Sequence, residues 1–300
     1  MTAGAGTPAW IREAERSQLP VLRLMVWLSL HLGRTASRWV LAGIAGYFTL
    51  FAPRSRHASR AYLRRAGAPS GWGAVFRHFF AFSSTVHDRI YLLNGRFDLF
   101  DIEIHGAEGL HAALAQRPGA LLMGGHLGSF EVLRAVGRGK AQLPVAMLMY
   151  AENARKINAI LEAINPEASA DIIPLGQVKS MLEARDRLDQ GALVGMLADR
   201  SLGSDPTRTL PFLGAPAQFP VGPWRMAAML RRPVFFMTGL YLGGNRYQIH
   251  LEPLADFSAV ERSERDEAIA SAMDRYAERL SHFCRIAPNN WFNFFDFWRQ

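Results

Sequence analysis

The stretch GALLMGGHLGSFE, residues 119–131, contains an apolar run, two glycines, a histidine and, five positions after the histidine, a glutamate. The apolar run predicts a buried strand and the glycines a tight turn, while Ser129 is a residue type that caps helices. His126 is therefore expected at the carboxyl end of a strand, where open α/β sheets bind their ligands. A packed core has no use for a base and an acid in such a turn, so the pattern points to chemistry.

The rest of the chain beyond residue 100 follows the same rhythm of short apolar strands and amphipathic helices. This alternation predicts an α/β fold with a mostly parallel central sheet flanked by helices. Gly243-Gly244-Asn245 predicts a hairpin, and hence an antiparallel edge, between the last two strands. A loop is expected after Asp199. The predicted strands are FDIEIHG, GALLMGG, PVAMLMY, DIIPL, GALVGMLAD, RPVFFMTGLYL and RYQIHLEPL, and the predicted helices lie around 107–116, from 129, from 152, at 177–189 and at 220–231.

The 300 residues are 49% hydrophobic, which is enough for a sizeable core and argues against disorder. We expect an N-terminal helical, membrane-associating region over 1–98 and an α/β domain over 99–300, the latter forming one compact unit with part of the N-terminal helices. Cys284 is the single cysteine and has no partner for a disulfide. The N-terminus lacks a signal-peptide pattern, because Glu13, Glu15 and Arg23 interrupt it, so we expect the protein on the cytoplasmic side.

The net charge of +8 is concentrated in the first 100 residues, which carry 13 Lys and Arg against 4 Asp and Glu; the remaining residues carry 21 against 22. A nucleic-acid partner is not expected, because the positive charge is interleaved with apolar helices rather than gathered on a polar face. Five of the arginines fall within RSRHASRAYLRR, residues 54–65. Such a cluster next to an apolar segment favours anionic lipid headgroups at a cytoplasmic membrane face.

Two apolar runs precede the arginine cluster, VLRLMVWLSLHLG and WVLAGIAGYFTLFAP. The second is shorter than the roughly 20 residues that cross a bilayer. The runs predict either two helices lying on the membrane or one short span, with residues 20–65 as the contact region. Trp27, Trp39 and Tyr47 at their borders favour the membrane over the alternative of an ordinary core helix followed by a solvated one.

His126 and Glu131 have the spacing of a base and its orienting acid. An acid in the first helical turn can reach back, accept a hydrogen bond from one imidazole nitrogen and leave the other nitrogen basic. No nucleophile is built in, since G-x-S-x-G is absent, so the base is expected to act on a substrate hydroxyl. No metal site is expected, because H-E-x-x-H and nearby ligand spacings are absent. The alternative is structural, with His126 capping a helix and Glu131 balancing its dipole.

GGHLGSFE resembles the H-x₄-D/E block of the bacterial lysophospholipid acyltransferase superfamily, and more narrowly its lipid A lauroyl/myristoyl acyltransferase branch. Four later segments resemble further blocks of that family in order and spacing: LVGMLADRSLGSD, LPFLGAPAQFPVGPWRMA, RRPVFF and APNNWFNFFDFW. The resemblance covers nearly the whole chain. It implies a membrane-associated O-acyltransferase at the cytoplasmic face of the inner membrane, acting directly and without a cofactor.

The resemblance also implies the partners: an acyl carrier protein or coenzyme A thioester as donor, and a lipid or glycolipid hydroxyl as acceptor. Catalytic roles are expected for His126 and Glu131. The expected substrate-binding residues are Gly125, Gly128, Ser129, Asp199, Arg200, Arg155, Lys179, Pro220 and Gly222. Asp199 and Arg200 end a strand at the same sheet edge as His126, although a loop salt bridge is an equal alternative; Pro220 and Gly222 shape a helix start. The apolar tail FNFFDFW is expected to pack on the N-terminal helices or to enter the membrane interface.

Two departures from the family's pattern concern the acceptor. Ala151 stands where the lipid A enzymes usually carry an arginine, and Arg200 stands where they often carry a glutamine. These changes leave open an acceptor other than lipid A, such as another glycolipid or the lipid anchor of an aryl polyene pigment. A rival interpretation is a non-catalytic lipid-binding protein that keeps the fold; the intact His126 and Glu131 pair argues against it.

Overall fold

The computed structural model describes residues 19–137, 143–150, 164, 172–175, 178–201 and 205–299. The helix predicted from residue 152, which carries Arg155, begins outside these residues. The described helices are α1 (Leu19–Phe51), α2 (Pro53–Arg65), α3 (Trp72–Leu93), α4 (Ala107–Gln116), α5 (Phe130–Val136), α6 (Val178–Asp189), α7 (Gly222–Leu230) and α8 (Arg265–Ile286). The described strands are β1 (Asp101–His105), β2 (Ala120–Gly124), β3 (Val145–Tyr150), β4 (Ile172–Leu175), β5 (Leu193–Leu197), β6 (Thr207–Phe212), β7 (Ala215–Pro220), β8 (Pro233–Gly243) and β9 (Arg246–Asp256).

Seven of these strands form the central sheet in the order β1-β9-β8-β2-β5-β3-β4. The pairs β1–β9, β8–β2, β2–β5, β5–β3 and β3–β4 are parallel. All five residues of β2 are buried, as expected for a central strand covered on both faces. The α/β fold with a mostly parallel sheet, predicted from the alternating pattern, is confirmed.

The β8–β9 hairpin is antiparallel, as predicted, and turns at Gly243 and Gly244, both with positive φ. Its position differs from the prediction, because β1 pairs with the outer side of β9 and so forms the edge of the sheet. The hairpin signal shows how two strands are joined. It carries no information about β1, whose Asp101 pairs with Arg246, 145 positions later in the chain.

A second, two-stranded sheet was missed in the predicted loop after Asp199. β6 and β7 form an antiparallel hairpin that turns at Leu213 and Gly214, both with positive φ. Pro211 and Pro216 lie opposite each other in this ladder, and prolines within a run argue against a strand. They are tolerated here because each strand of a two-stranded sheet has a free edge.

The N-terminal helices pack on the body through the C-terminal tail. Tyr62 of α2 contacts the ring of Trp291 edge-on, and Phe79 of α3 stacks on Phe294. The tail therefore packs on the N-terminal helices, which was one of its two predicted positions. Among the described residues, no helix is both long and apolar enough to cross a membrane, and α1 is kinked at Gly33.

A buried ion pair joins α1 to α3. Arg34 donates two hydrogen bonds to the carboxylate of Asp88, at 2.8 and 2.7 Å, and Tyr247 of β9 donates a third at 2.8 Å. The side chain of Asp88 is 1% exposed and that of Arg34 is 13% exposed. These bonds fix the orientation of the N-terminal helix against the sheet.

Candidate active site

The predicted site loop, residues 125–129, joins β2 to α5 at the carboxyl edge of the sheet. Main-chain hydrogen bonds hold it on two sides. Ser129 donates its N–H to the carbonyl of Gly239 in β8 at 2.7 Å, and Gly128 donates its N–H to the carbonyl of Asn290 at 2.8 Å. The N–H of Phe292 reaches the carbonyl of His126 at 2.8 Å. The loop is thus clamped between a strand and the C-terminal segment.

Two glycines allow this close contact. Gly128 has a φ of +72°, and a Cβ there would lie 2.1 Å from the carbonyl oxygen of Gly239. A Cβ on Gly239 would lie 2.4 Å from the carbonyl oxygen of Ser129. Gly239 was not among the predicted site residues, although a single glycine inside an apolar strand is a signal for close backbone approach.

The carboxylate that holds His126 belongs to Asp199, which follows β5. Nδ1 of His126 lies 2.8 Å from Oδ1 of Asp199, and the backbone N–H of His126 donates to Oδ2 at 2.9 Å. The indole Nε1–H of Trp291 also donates to Oδ2, at 3.1 Å. Because a carboxylate only accepts, Nδ1 carries the proton and Nε2 is the free basic nitrogen of the neutral ring. Nε2 makes no hydrogen bond to a residue that the structure describes.

The exposure of this pair suits a base that meets a substrate. The His126 side chain is 35% exposed, whereas Asp199 is fully buried. Burial and the positive charge of Arg200 lower the pKa of His126, against the opposing effect of Asp199. Burial would raise the pKa of Asp199, but the hydrogen bonds and charge of His126 together with Arg200 lower it well below the usual range. The dyad is therefore a neutral imidazole beside an ionised carboxylate at neutral pH.

The predicted contact between His126 and Glu131 is wrong. Both residues are described, and no hydrogen bond joins them. Glu131 lies 3.1 Å from Nε of Arg134 and 3.7 Å from Nε of Arg89 in α3. The first turn of α5 directs the acid toward these two guanidinium groups, away from the loop, and buries it there. Opposite charge at i,i+3 and across the helix pair explains this orientation.

Arg200 lies beside the dyad, as predicted from its position after a strand. Its Nη2 donates to the carbonyl of Phe292 at 2.7 Å, and its guanidinium lies 5.1 Å from the ring centre of Phe295. Burial lowers its pKa, although an arginine stays charged. Its Nε is buried without a hydrogen bond to any described residue. Asp199 pairs with His126 rather than forming a loop salt bridge.

The remaining predicted residues lie at different distances from the dyad. Gly125 is adjacent, since a Cβ there would lie 3.3 Å from Cγ of Asp199. Ser129 occupies the N-cap position of α5 but makes no side-chain capping bond. Lys179 is exposed at the start of α6, which follows β4. Strand β4 lies three strand positions from β2, or roughly 14 Å across the sheet. Pro220 ends β7 and Gly222 begins α7. Arg155 lies outside the described residues.

Other polar groups also lie near this edge. Tyr150, at the end of β3, donates to Oδ2 of Asp205 at 2.5 Å. Burial and the Asp205 carboxylate raise the pKa of Tyr150. Among the described residues, no group of three or more His, Cys, Asp or Glu side chains could hold a metal ion.

The comparison with known families covers most of the chain. Residues 73–300 match the model of the family described as bacterial lipid A biosynthesis acyltransferase. The chain belongs to this family. No curated protein matches the chain.

This acyltransferase of lipid biosynthesis carries His126, Glu131, Asp199 and Trp291 inside the matched region, whereas residues 20–65 lie outside it. Family membership implies an acyl donor and a lipid acceptor. The resemblance first seen in the ordered sequence blocks is thereby confirmed.

Proposed function

We propose that this acyltransferase transfers a fatty acyl group from an acyl thioester, carried by an acyl carrier protein or coenzyme A, to a hydroxyl of a lipid or glycolipid acceptor. The observation that carries the proposal is the His126–Asp199 hydrogen bond at 2.8 Å, which leaves Nε2 of a partly exposed imidazole free. No side-chain nucleophile is needed, because the acceptor brings its own hydroxyl.

The residues support a direct transfer. Nε2 of His126 takes the proton of the acceptor hydroxyl while the hydroxyl oxygen attacks the thioester carbonyl. Asp199 stabilises the imidazolium that forms. The tetrahedral intermediate then collapses, the C–S bond breaks, and the imidazolium returns the proton to the leaving thiolate. The products are an ester and a free thiol.

The developing oxyanion needs donors that are not already occupied. The backbone N–H groups of His126, Gly128 and Ser129 already bind Asp199, Asn290 and Gly239, so these amides are not available. The guanidinium of Arg200 remains as a nearby positive group. We assign it to the oxyanion or to an anionic group of the substrate. Replacement of Arg200 separates the two, since loss of the first lowers kcat and loss of the second raises KM.

Glu131, which was predicted as the acid that orients His126, is proposed instead to position the helix that follows the loop. By binding Arg134 within α5 and Arg89 of α3, it fixes the helix that follows His126. Lys179 and Arg155 are proposed as contacts for phosphates of either substrate. Pro220 and Gly222 are proposed to shape a helix start at the substrate pocket.

The surface of the N-terminal helices supports association with the cytoplasmic face of the inner membrane. Large apolar side chains are exposed on α1 and at the start of α3: Trp39 is 81% exposed, Phe51 69%, Leu50 60%, Tyr47 56% and Trp72 51%. Arg56 and Arg60 both lie over the ring of Trp72. Aromatic rings flanked by arginines are typical of membrane interfaces.

Flotation of the full chain with vesicles tests this membrane surface. Binding is expected to vesicles that contain anionic phospholipid, to weaken with salt, and to weaken strongly when Trp39 and Phe51 are both replaced by serine. Ile286→Ser, at an exposed apolar residue at the end of α8, is the control and should bind like the wild type. Equal binding by the double variant would contradict the surface assignment.

Mass spectrometry of lipids from cells with and without the gene tests the activity itself. A lipid that lacks one acyl chain in the deletion strain identifies the acceptor and, by mass difference, the chain length. Restoration by the wild-type gene completes the experiment. An unchanged lipidome would favour the alternative, a non-catalytic lipid-binding protein with the acyltransferase fold.

A further inference from the structure

Trp291 connects the dyad to the N-terminal helices. Its side chain is fully buried, and its indole Nε1–H points at Oδ2 of Asp199 at 3.1 Å. On the other side, its carbonyl oxygen lies 2.9 Å from Nε2 of His78 in α3. One residue thus contacts both the carboxylate that holds the base and the helices on which the chain is proposed to lie.

The Asp199 carboxylate depends on this indole for its orientation. Oδ2 accepts two N–H bonds, one from the backbone of His126 and one from Trp291, which leaves Oδ1 facing Nδ1 of His126. Without the indole N–H, Oδ2 would accept only the hydrogen bond from the backbone N–H of His126. That N–H belongs to the same loop that the Asp199 carboxylate orients. The tryptophan is therefore the only donor to Oδ2, among the described residues, that lies outside the His126 loop.

Trp291 itself is held from several directions. Because a carbonyl only accepts, Nε2 of His78 carries the proton, and its Nδ1 accepts from the hydroxyl of Ser59 at 2.9 Å. Burial lowers the pKa of His78 to about 4, so the ring stays neutral at physiological pH. Tyr62 and Phe212 contact the indole edge-on, at 4.9 and 5.1 Å between ring centres.

The backbone around Trp291 holds the opposite side of the site loop. Trp291 forms an isolated antiparallel bridge with Leu127. Its neighbours Asn290 and Phe292 bind the N–H of Gly128 and the carbonyl of His126. The same three-residue segment therefore fixes both members of the dyad.

We infer that Trp291 is a positioning residue of the acyl transfer, whose indole N–H fixes Asp199 and whose backbone is anchored on α2 and α3 through His78 and Ser59. This inference rests on the proposed function, since it assigns Trp291 a part in the reaction of His126. A purely structural role would require only a large aromatic ring at this position.

Trp291→Phe removes the indole N–H and keeps an aromatic ring. Trp298→Phe is the matched control, because Trp298 belongs to the same aromatic cluster and its indole donates to the carbonyl of Phe212 at 3.4 Å, with no bond to Asp199. The readout is the rate at which diethyl pyrocarbonate modifies His126, followed by peptide mass spectrometry across a pH series. This reagent modifies only the unprotonated ring, so the rate follows the ionisation of His126 without any substrate.

Among the residues that the structure describes, the charged and titratable groups that act on the dyad are Arg200, which follows β5, together with Tyr276 and Cys284 of α8. None of them changes in either variant. Loss of the indole donor leaves more charge on the Asp199 oxygens, which then stabilise the imidazolium more strongly. The modification midpoint of Trp291→Phe is therefore expected at higher pH than that of the wild type, and that of Trp298→Phe at the wild-type pH. Asp199→Asn serves as the reference and is expected to lower the midpoint.

The activity arm uses the acceptor identified from the deletion strain. Trp291→Phe should lower kcat on the order of tenfold, the effect of losing one hydrogen bond to a charged group, with KM nearly unchanged. An unshifted midpoint in Trp291→Phe, in the presence of a shift in Asp199→Asn, would overturn the inference.

If Trp291→Phe fails to unfold cooperatively, site-specific replacement of Trp291 by its benzothienyl analogue decides the matter, since that side chain keeps the ring volume and lacks only the N–H. The same upward shift is expected, and its absence overturns the inference. If deletion of the gene leaves the lipidome unchanged, the proposed activity fails, while the titration of His126 still decides the contact between Trp291 and Asp199.

Discussion

Oδ1 of Asp199 lies 2.8 Å from Nδ1 of His126, although 73 positions separate the two residues in the chain. The contact arises because β2 and β5 are parallel neighbours in the sheet, so the residues that follow them emerge side by side. Asp199 therefore accepts the hydrogen bond from Nδ1 that Glu131 was expected to accept, and Nε2 of His126 makes no hydrogen bond to a described residue.

His126→Ala is expected to lower turnover by about 10²- to 10⁴-fold, because a positioned general base contributes that much. The fold should persist, since the imidazole is partly exposed. Acyl-chain restoration in the deletion strain measures the loss, with His111→Ala, at an exposed histidine of α4, as the control. More than about a tenth of the wild-type rate in His126→Ala would remove the general-base assignment.

Asp199→Asn and Glu131→Gln distinguish the two acids. Asp199 raises the pKa of His126 through its charge and hydrogen bond, so Asp199→Asn should move the acid limb of the pH–rate profile to lower pH and reduce kcat by about 10²-fold or more. Glu131→Gln removes the ion pairs with Arg134 and Arg89 and should lower thermal stability while the acid limb stays in place. A shifted limb in Glu131→Gln alone would restore Glu131 as the partner of His126.

The sequence predicted the central fold and one half of the dyad. Apolar periodicity located the strands, and the glycine-rich turn placed His126 at the carboxyl edge. The sequence did not identify the acid that binds His126. Glu131 is close to His126 in the sequence, whereas Asp199 comes close to it only because β2 and β5 pair in the sheet. Asp199 and Arg200 follow a predicted strand in the same way as His126, so they were expected at the same sheet edge and near the substrate. The hydrogen bond between Asp199 and His126 was not predicted.

Local electrostatics explain why the nearer acid failed. Glu131 lies in a helical turn between the guanidinium groups of Arg134 and Arg89. Arg89 belongs to α3, and the sequence around Glu131 does not show that α3 packs against α5. The role of Trp291 was hidden for the same reason: the C-terminal motif was recognised, but its contact with Asp199 spans 92 positions. Both contacts, Glu131 with Arg89 and Trp291 with Asp199, join residues that are far apart in the sequence, so local patterns could not predict them.

Arg200→Gln introduces the residue that related enzymes often carry. Burial and the positive charge of Arg200 both lower the pKa of His126, so removal of that charge raises it. Because the neutral imidazole is the active form, the rate then falls off at a higher pH than in the wild type. A pH series of kcat checks this shift. Arg208→Gln, at a β6 residue whose guanidinium binds the carbonyl of Ala270 and the carboxylate of Asp274 in α8, should leave the profile unchanged. An unmoved acid limb in Arg200→Gln would show that its guanidinium does not act on His126.

Gly128→Ala tests the clamp on the site loop. Alanine at a φ of +72° is strained, and its Cβ would lie 2.1 Å from a backbone oxygen of β8. We expect a loss of about 2 kcal/mol or more in the free energy of unfolding, together with loss of activity. Gly222→Ala is the comparison, since nothing lies within 4 Å of its Cβ position. Chemical denaturation of both variants measures the difference, and equal stability would contradict the described loop geometry.

The buried pair of Arg34 and Asp88 should dominate the attachment of the N-terminal helix. Removal of one partner leaves an unpaired buried charge, so Arg34→Met or Asp88→Asn alone is expected to cost about 3 to 5 kcal/mol. The double variant should cost less than the sum of the two, because neither charge is then left alone.

Burial would raise the pKa of Asp88, but His87, Arg34 and Tyr247 lower it. The wild-type contribution is therefore present above the ordinary aspartate pKa and is lost as the pH falls through the lowered value, whereas Asp88→Asn should lack this dependence. Urea denaturation across a pH series checks both statements, and strictly additive costs in the double variant would show that the two side chains do not act as a pair.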